Sequence, residues 1–280
     1  MASIVVVGSV NLDIVARAKK LPAAGETVTD AELGRFPGGK GANQALAAQR
    51  LGADVSLVAC VGDDSTAGEA LALLQEGGVD LTNVRVVNDA PTGVALIAVA
   101  ESGENQIVVA PGANRSLSAA ALVLPEADAL LCQLEVPTDT VARAAQDFAG
   151  FFCVNLAPAK HVDVSVLQRA DLVIVNETES MWYGDSLSAC HGIIATTFGA
   201  AGAVLSKDGE DLARTKPPRI EAVDTTAAGD TFTAALTVAL VEGQSHDNAL
   251  AFACAAGAAA ATKNGAQPSL PYRDDVIDLM

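Results

Sequence analysis

The stretch Asp224-Thr225-Thr226-Ala227-Ala228-Gly229-Asp230-Thr231-Phe232 leads small residues straight into a helix-forming run over 229–242. A helix N-terminus offers unpaired N–H groups and the positive end of the peptide dipole, which suits a phosphoryl group in transfer. Asp230 falls in the first turn. There it is either a partner of the helix dipole or a base that takes a hydroxyl proton during phosphoryl transfer. A second segment, Gly34-Arg35-Phe36-Pro37-Gly38-Gly39-Lys40-Gly41-Ala42-Asn43, also enters a helix. It approaches a P-loop in spacing, but Gly41 stands where that motif needs Ser or Thr, so the hydroxyl that would hold magnesium is missing. What remains is a glycine-rich turn that lets backbone amides approach a ligand, with Lys40 and Asn43 able to bond sugar hydroxyls or carboxylates. The bland alternative is a tight turn and nothing more.

Two shorter sets add to these. Asn11 and Asp13 alternate just after the first apolar run, so in extended chain both face one side and could grip vicinal hydroxyls; an Asx turn explains the same residues. Asn176 and Glu179 follow another apolar run. Their spacing fits a helix N-cap with its capping box, and equally a carboxylate and carboxamide facing a hydrated magnesium ion. The two readings are compatible.

Such groups need a scaffold that brings them to one edge. Apolar, β-branched runs recur at 4–8, 55–61, 129–134, 151–156, 172–175, 192–196 and 203–206. Helical patterns at 41–51, 65–76, 138–149 and 162–169 separate most of them, and Ala-dominated helices follow at 229–242 and 247–263. This alternation predicts an α/β fold: a doubly wound, mostly parallel sheet with helices on both faces. Two stretches, about 14–36 and 92–110, break the pattern with paired extended runs around turn residues. They predict a small antiparallel β lid inserted into one domain over 1–280, with edge strands of the main sheet as the alternative.

Composition narrows the partners. The formal net charge is -17, which excludes broad binding to nucleic acid or anionic membranes, so any phosphate must be held locally. No apolar run is long enough to span a bilayer, and no secretory leader opens the sequence. Five scattered cysteines without a C-x-x-C pair read as reduced structural thiols in a cytoplasmic protein. The three histidines have no zinc-binding spacing, and no G-x-G-x-x-G follows the first strand, against a nicotinamide oxidoreductase.

Taken together, Gly38-Gly39-Lys40-Gly41-Ala42-Asn43-Gln44-Ala45, Asn176–Glu179 and Asp224–Phe232 make the chain resemble the PfkB-type carbohydrate kinases from its first strand to Gln267-Pro268-Ser269. The resemblance implies an ATP-dependent kinase acting on the 5-hydroxyl of D-ribose, or else on another pentose, a ketohexose or a nucleoside. It implies Asp230 as base and the amides of Ala227, Ala228 and Gly229 as anion hole. Asn11, Asp13, Gly39, Lys40, Asn43 and Glu135 would hold the sugar; Asn176, Thr197 and Gly199 the nucleotide; Glu179 a Mg2+ ion, through water. A monovalent-cation loop would comprise Asp224, Thr226, Gly265 and Ser269, implying K+ activation, and the lid would form a homodimer contact. One departure stands out: the segment between Glu179 and Thr197 is short, so the helix expected there must be short or absent. A non-catalytic sugar sensor on the same fold would have no need of Asp230 or Glu179.

Overall fold

An unbroken apolar run sets the first strand, β1 (Ser3–Val7), with Ile4 and Val6 buried in one core and Val5 and Val7 in another. In this computed structural model, which describes residues 1–280, the chain next forms β2 (Asn11–Ala18) and β3 (Glu32–Gly38). It returns through α1 (Lys40–Arg50), β4 (Asp54–Gly62), α2 (Ser65–Glu76) and β5 (Val84–Val87), then leaves again for β6 (Gly93–Ala100) and β7 (Asn105–Ala110). Strand and helix alternate from there: β8 (Ala129–Gln133), α3 (Thr138–Asp147), β9 (Phe151–Asn155), α4 (Val164–Arg169), β10 (Leu172–Asn176), α5 (Glu177–Tyr183) and β11 (Ile193–Thr197). β12 (Ala203–Lys207) and β13 (Glu210–Thr215) precede the closing helices α6 (Ala228–Val241), α7 (His246–Ala260) and α8 (Arg273–Ile277).

The main sheet has nine strands in the order β13-β12-β11-β10-β9-β8-β1-β4-β5. Pairing is parallel from β5 to β11 and antiparallel at β11–β12 and β12–β13. One face packs on α1, α2, α6, α7 and α8, and the other on α3 and α4. Both faces are therefore covered, as apolar parallel strands require. Every residue of α6 from Asp230 to Ala239 is buried, as are Ala249, Leu250 and the run from Phe252 to Ala260 in α7. Helices buried on nearly all sides need small residues, which is what their alanines supply.

The lid is a separate four-stranded sheet, β3-β2-β6-β7, which sets aside the edge-strand alternative. Each hairpin is antiparallel as expected, while the central β2–β6 pairing, from Asn11↔Gly93 to Ala18↔Ala100, is parallel. The cause is topological: β2 follows β1, and β6 follows β5, two parallel strands that point the chain the same way. β2 also starts at Asn11 rather than near residue 14, so Asn11 and Asp13 lie on the lid strand itself. After α5, a 3-10 turn over Gly184–Ala189 replaces the missing helix.

Candidate active site

Asp230 lies in the first turn of α6 and is 4% exposed. Its Oδ2 accepts from Asn43 Nδ2 and its Oδ1 from Gln44 Nε2, both at 2.9 Å. Burial pushes this carboxyl up, while the Lys40 ammonium and the two amides oppose that shift, and Glu135 adds to it. A carboxylate so placed is more basic than one in water yet supported in its ionised form. At the helix terminus the Ala228 N–H donates to the Thr225 carbonyl at 3.2 Å, whereas the Ala227 and Gly229 N–H groups make no turn or loop hydrogen bond. A Cβ added at Gly229 would meet nothing within 4 Å, so the terminus is open to a ligand.

The start of α1 is built from another part of the chain. Gly39 has φ +90 and an added Cβ there would stand 2.7 Å from the Asn11 backbone nitrogen, so only glycine fits. In place of a local N-cap, Glu135 Oε2 accepts from the Lys40 N–H at 3.0 Å and from the Ser9 hydroxyl at 2.6 Å. The Ser9 carbonyl accepts from the Ala42 N–H at 2.9 Å. Glu135 thus completes the helix end with one oxygen and leaves Oε1 without a protein donor. Lys40 makes no direct ion pair; the surrounding carboxylates, Asp230 above all, hold its ammonium firmly ionised against the cost of burial.

Asn11 and Asp13, both buried, share one face of β2. Asn11 Oδ1 accepts from Asn114 Nδ2 at 2.8 Å, and Asn114 Oδ1 accepts from the Val10 N–H at 2.9 Å. Asp13 is pushed up to about 7 by burial first, then by Glu135 and Asp230, with Lys40 opposing. A carboxyl with a raised folded-state pKa binds its proton more tightly when folded. Native stability therefore falls as pH rises from the ordinary 3.8 to about 7 and is flat above. Asp13→Asn is expected to remove that slope and raise the melting temperature at pH 8 by several degrees, measured by thermal denaturation across pH. A variant with the parent's pH slope would assign the titration elsewhere.

At the same edge of the main sheet, Asn176 ends β10 beside Thr197, which ends β11. Asn176 Oδ1 accepts from the Glu179 N–H at 2.8 Å, and Glu179 Oε2 accepts from the Asn176 N–H at 2.9 Å, a complete capping box. Glu179 Oε1 takes no protein donor, and burial pushes its carboxyl up while Lys40 draws it down. Gly199 opens the exposed turn after Thr197. Beside the lid, Asp224 Oδ1 accepts from the Thr226 N–H at 3.0 Å and from the Thr226 hydroxyl, and Oδ2 from the Gly265 N–H at 3.0 Å and Arg17 at 3.3 Å. Burial would raise this carboxyl, but these donors and the Arg17 charge bring it below the usual range. The Ser269 hydroxyl donates to the Ala266 carbonyl at 2.8 Å.

A cleft of about 810 Å³ opens between the lid and the loops at 222–226 and 265–266, with Asp13, Arg17 and Phe36 on its lid side. Of the sequence-predicted residues, Asp13, Asp224, Thr226 and Gly265 line this cleft, while Asp13, Lys40, Glu135, Glu179 and Asp230 lie near enough to act on one another's charge. Sequence reasoning missed Ser9, Asn114, Gln133 and Asn155, and gave Gln44 no role. Gln133 and Asn155 each close an apolar strand run, and a buried amide at the carboxyl end of a parallel strand was the available signal.

Known proteins share this sequence pattern and fold. The family model for pfkB family carbohydrate kinases matches residues 1–273. Ribokinase from Haemophilus influenzae is 38% identical, over 99% of this chain and 98% of that protein. The crystal structure of Thermotoga maritima ribokinase superposes with a TM-score of 0.91 at 33% identity, covering 100% of this chain and 99% of that one. A structure of Arabidopsis thaliana ribokinase complexed with ribose and ATP gives 0.88 at 33% identity, covering 99% and 98%. With sequence and backbone both followed nearly end to end, the chain belongs to the pfkB family of carbohydrate kinases.

Proposed function

We propose that this chain transfers the γ-phosphoryl group of ATP to the 5-hydroxyl of D-ribose. The observation that carries the reading is the Asp230 carboxylate, buried, bonded at both oxygens and set in the turn that opens an uncovered helix terminus. The ribose-and-ATP complex of the Arabidopsis relative supports the substrate pair. Asp230 accepts the hydroxyl proton as that oxygen bonds to the γ-phosphorus and the bond to the β–γ bridging oxygen breaks, releasing ADP. Amides at Ala227, Ala228 and Gly229 face the transferring group, the Ala228 N–H exchanging its long bond to Thr225 for the ligand. Asn11, Asp13, Gly39, Lys40, Asn43 and Glu135 hold the sugar, and Asn176, Thr197 and Gly199 border the nucleotide. Magnesium bound with ATP supplies charge neutralisation at the phosphates; the free Glu179 Oε1 suits a water of its hydration shell.

The finer readings rest on separate supports. Potassium at Asp224, Thr226, Gly265 and Ser269 meets a carboxylate whose acceptor positions are already filled by four donors, so it does not fit as a direct ligand while Arg17 is in place. A homodimer through the lid is supported by exposed Leu33, Leu96 and Val108 on the sheet face opposite Asp13. A cytoplasmic setting is supported by five free, buried thiols, and the lid by a separate four-stranded sheet that borders the cleft. No helix is long and apolar enough to cross a membrane. A coupled assay of ADP release across pentoses, hexoses and nucleosides, in potassium and in sodium buffers, tests the function. Ribose is expected to give the highest kcat/KM; no acceleration by ribose alongside turnover of another acceptor would overturn it.

A further inference from the structure

The Asp230 carboxylate is gripped by a side chain that is itself clamped. Gln44, 0% exposed, gives one N–H of Nε2 to Asp230 Oδ1 at 2.9 Å and the other to Asn155 Oδ1 at 3.2 Å. Its Oε1 accepts from Gln133 Nε2 at 2.6 Å. Gln133 and Asn155 are register partners at the carboxyl ends of β8 and β9, so the sheet edge presents both to the same helix. Asn155 is anchored in turn by donating to the Ile174 carbonyl at 3.2 Å. Two acceptors face the Gln44 NH2 and one donor faces its carbonyl, so a flipped amide would meet like against like on every side. Every polar atom of Gln44 is bonded, while Gln133 Oε1 is buried without a partner; a polar chain this buried is costly to assemble, and a mere filler would be apolar.

We propose that Gln44, clamped by Gln133 and Asn155, is a positioning residue that fixes the rotation of the Asp230 carboxylate and sustains its ionised form until the sugar hydroxyl arrives. The inference rests on Asp230 being the base. With Gln44 fixed on Oδ1 and Asn43 on Oδ2, each oxygen keeps one lone pair in a set direction, and a base that turns freely would present none reliably. The charged groups facing Asp230 are Lys40 from α1, Asp13 from β2, Glu135 after β8 and Glu179 from α5. Lys40 alone is positive, set against three carboxylates, so the amide donors matter for keeping a fourth carboxylate ionised.

The test is steady-state kinetics across pH on Gln44→Met and Gln133→Met, with thermal melts of both. Gln44→Met is expected to lower kcat about 10- to 100-fold while the sugar KM stays within about threefold, as loss of an interaction used only in transfer should. Because an ionised carboxylate loses a donor, the acidic limb of kcat should move to higher pH. Gln133→Met does not touch Asp230 and should move kcat and the limb the same way by less, which keeps the test valid if Gln44→Met folds poorly. A fall in melting temperature and rate with no movement of the limb in either variant would reduce the cluster to structure and overturn the proposal. Normal kcat in Gln44→Met beside an inactive Asp230→Asn would overturn it while leaving the base in place; an active Asp230→Asn would instead remove the base reading.

Discussion

Asp230→Asn is expected to lower kcat by about 10²- to 10⁴-fold while ribose affinity changes by less than about threefold. The size follows from the role: a base contributes only while the hydroxyl proton moves, so its loss spares ground-state binding. The fold should tolerate the change. Both Asp230 oxygens face N–H donors, so an Asn there would set its NH2 against one of them. Asn43 can relieve this by turning its amide, since its Oδ1 is buried without a partner and would accept the new donor. Removing a carboxylate that burial disfavours also lifts a cost from the native state. Turnover measured with saturating ribose, beside ribose affinity by calorimetry, checks the split. A variant within tenfold of the parent kcat would take the base role from Asp230.

Gly41→Ala is expected to destabilise the protein by about 3 kcal/mol, a drop on the order of 5–10 °C in melting temperature, and to depress activity with it. An added Cβ would stand 2.4 Å from the Ser9 nitrogen, 2.5 Å from the Gly8 carbonyl carbon and 2.6 Å from the Gly8 Cα. All three are backbone atoms, so no side chain can swing aside. Relief requires α1 to retreat from the end of β1, and α1 carries Lys40, Asn43 and Gln44. The retreat would also lengthen the bond from the Ala42 N–H to the Ser9 carbonyl and pull Lys40 away from Glu135. Thermal unfolding and kcat/KM on purified variant read the effect; unchanged values would mean that this close approach is not a constraint.

The central strands were legible because burial on both faces leaves apolar runs, as in β4 and β10. Asp64 and Ser245 cap α2 and α7 in the structure, each accepting from the third residue on, a signal that the sequence reading did not use. β5 and β13 escaped because edge strands carry polar and charged side chains: Arg85 interrupts one, and the other reads Glu-Asp-Leu-Ala-Arg-Thr. The parallel β2–β6 pairing joins segments far apart in sequence, and hairpin signals cannot report it. At the site, short motifs exposed Asp230, Lys40 and Asn43. Gln133, Asn155 and Asn114 escaped because each acts through another residue, and such a role has no pattern of its own along the chain.

The Arg17–Asp224 pair joins the lid sheet to a loop of the main body. Arg17 sits on the lid strand β2, and Asp224 begins the loop that runs into α6. Any movement of β2 away from α6 must therefore break this bond or drag the loop with it. A single guanidinium thus links the position of the lid strand directly to the loop that enters α6.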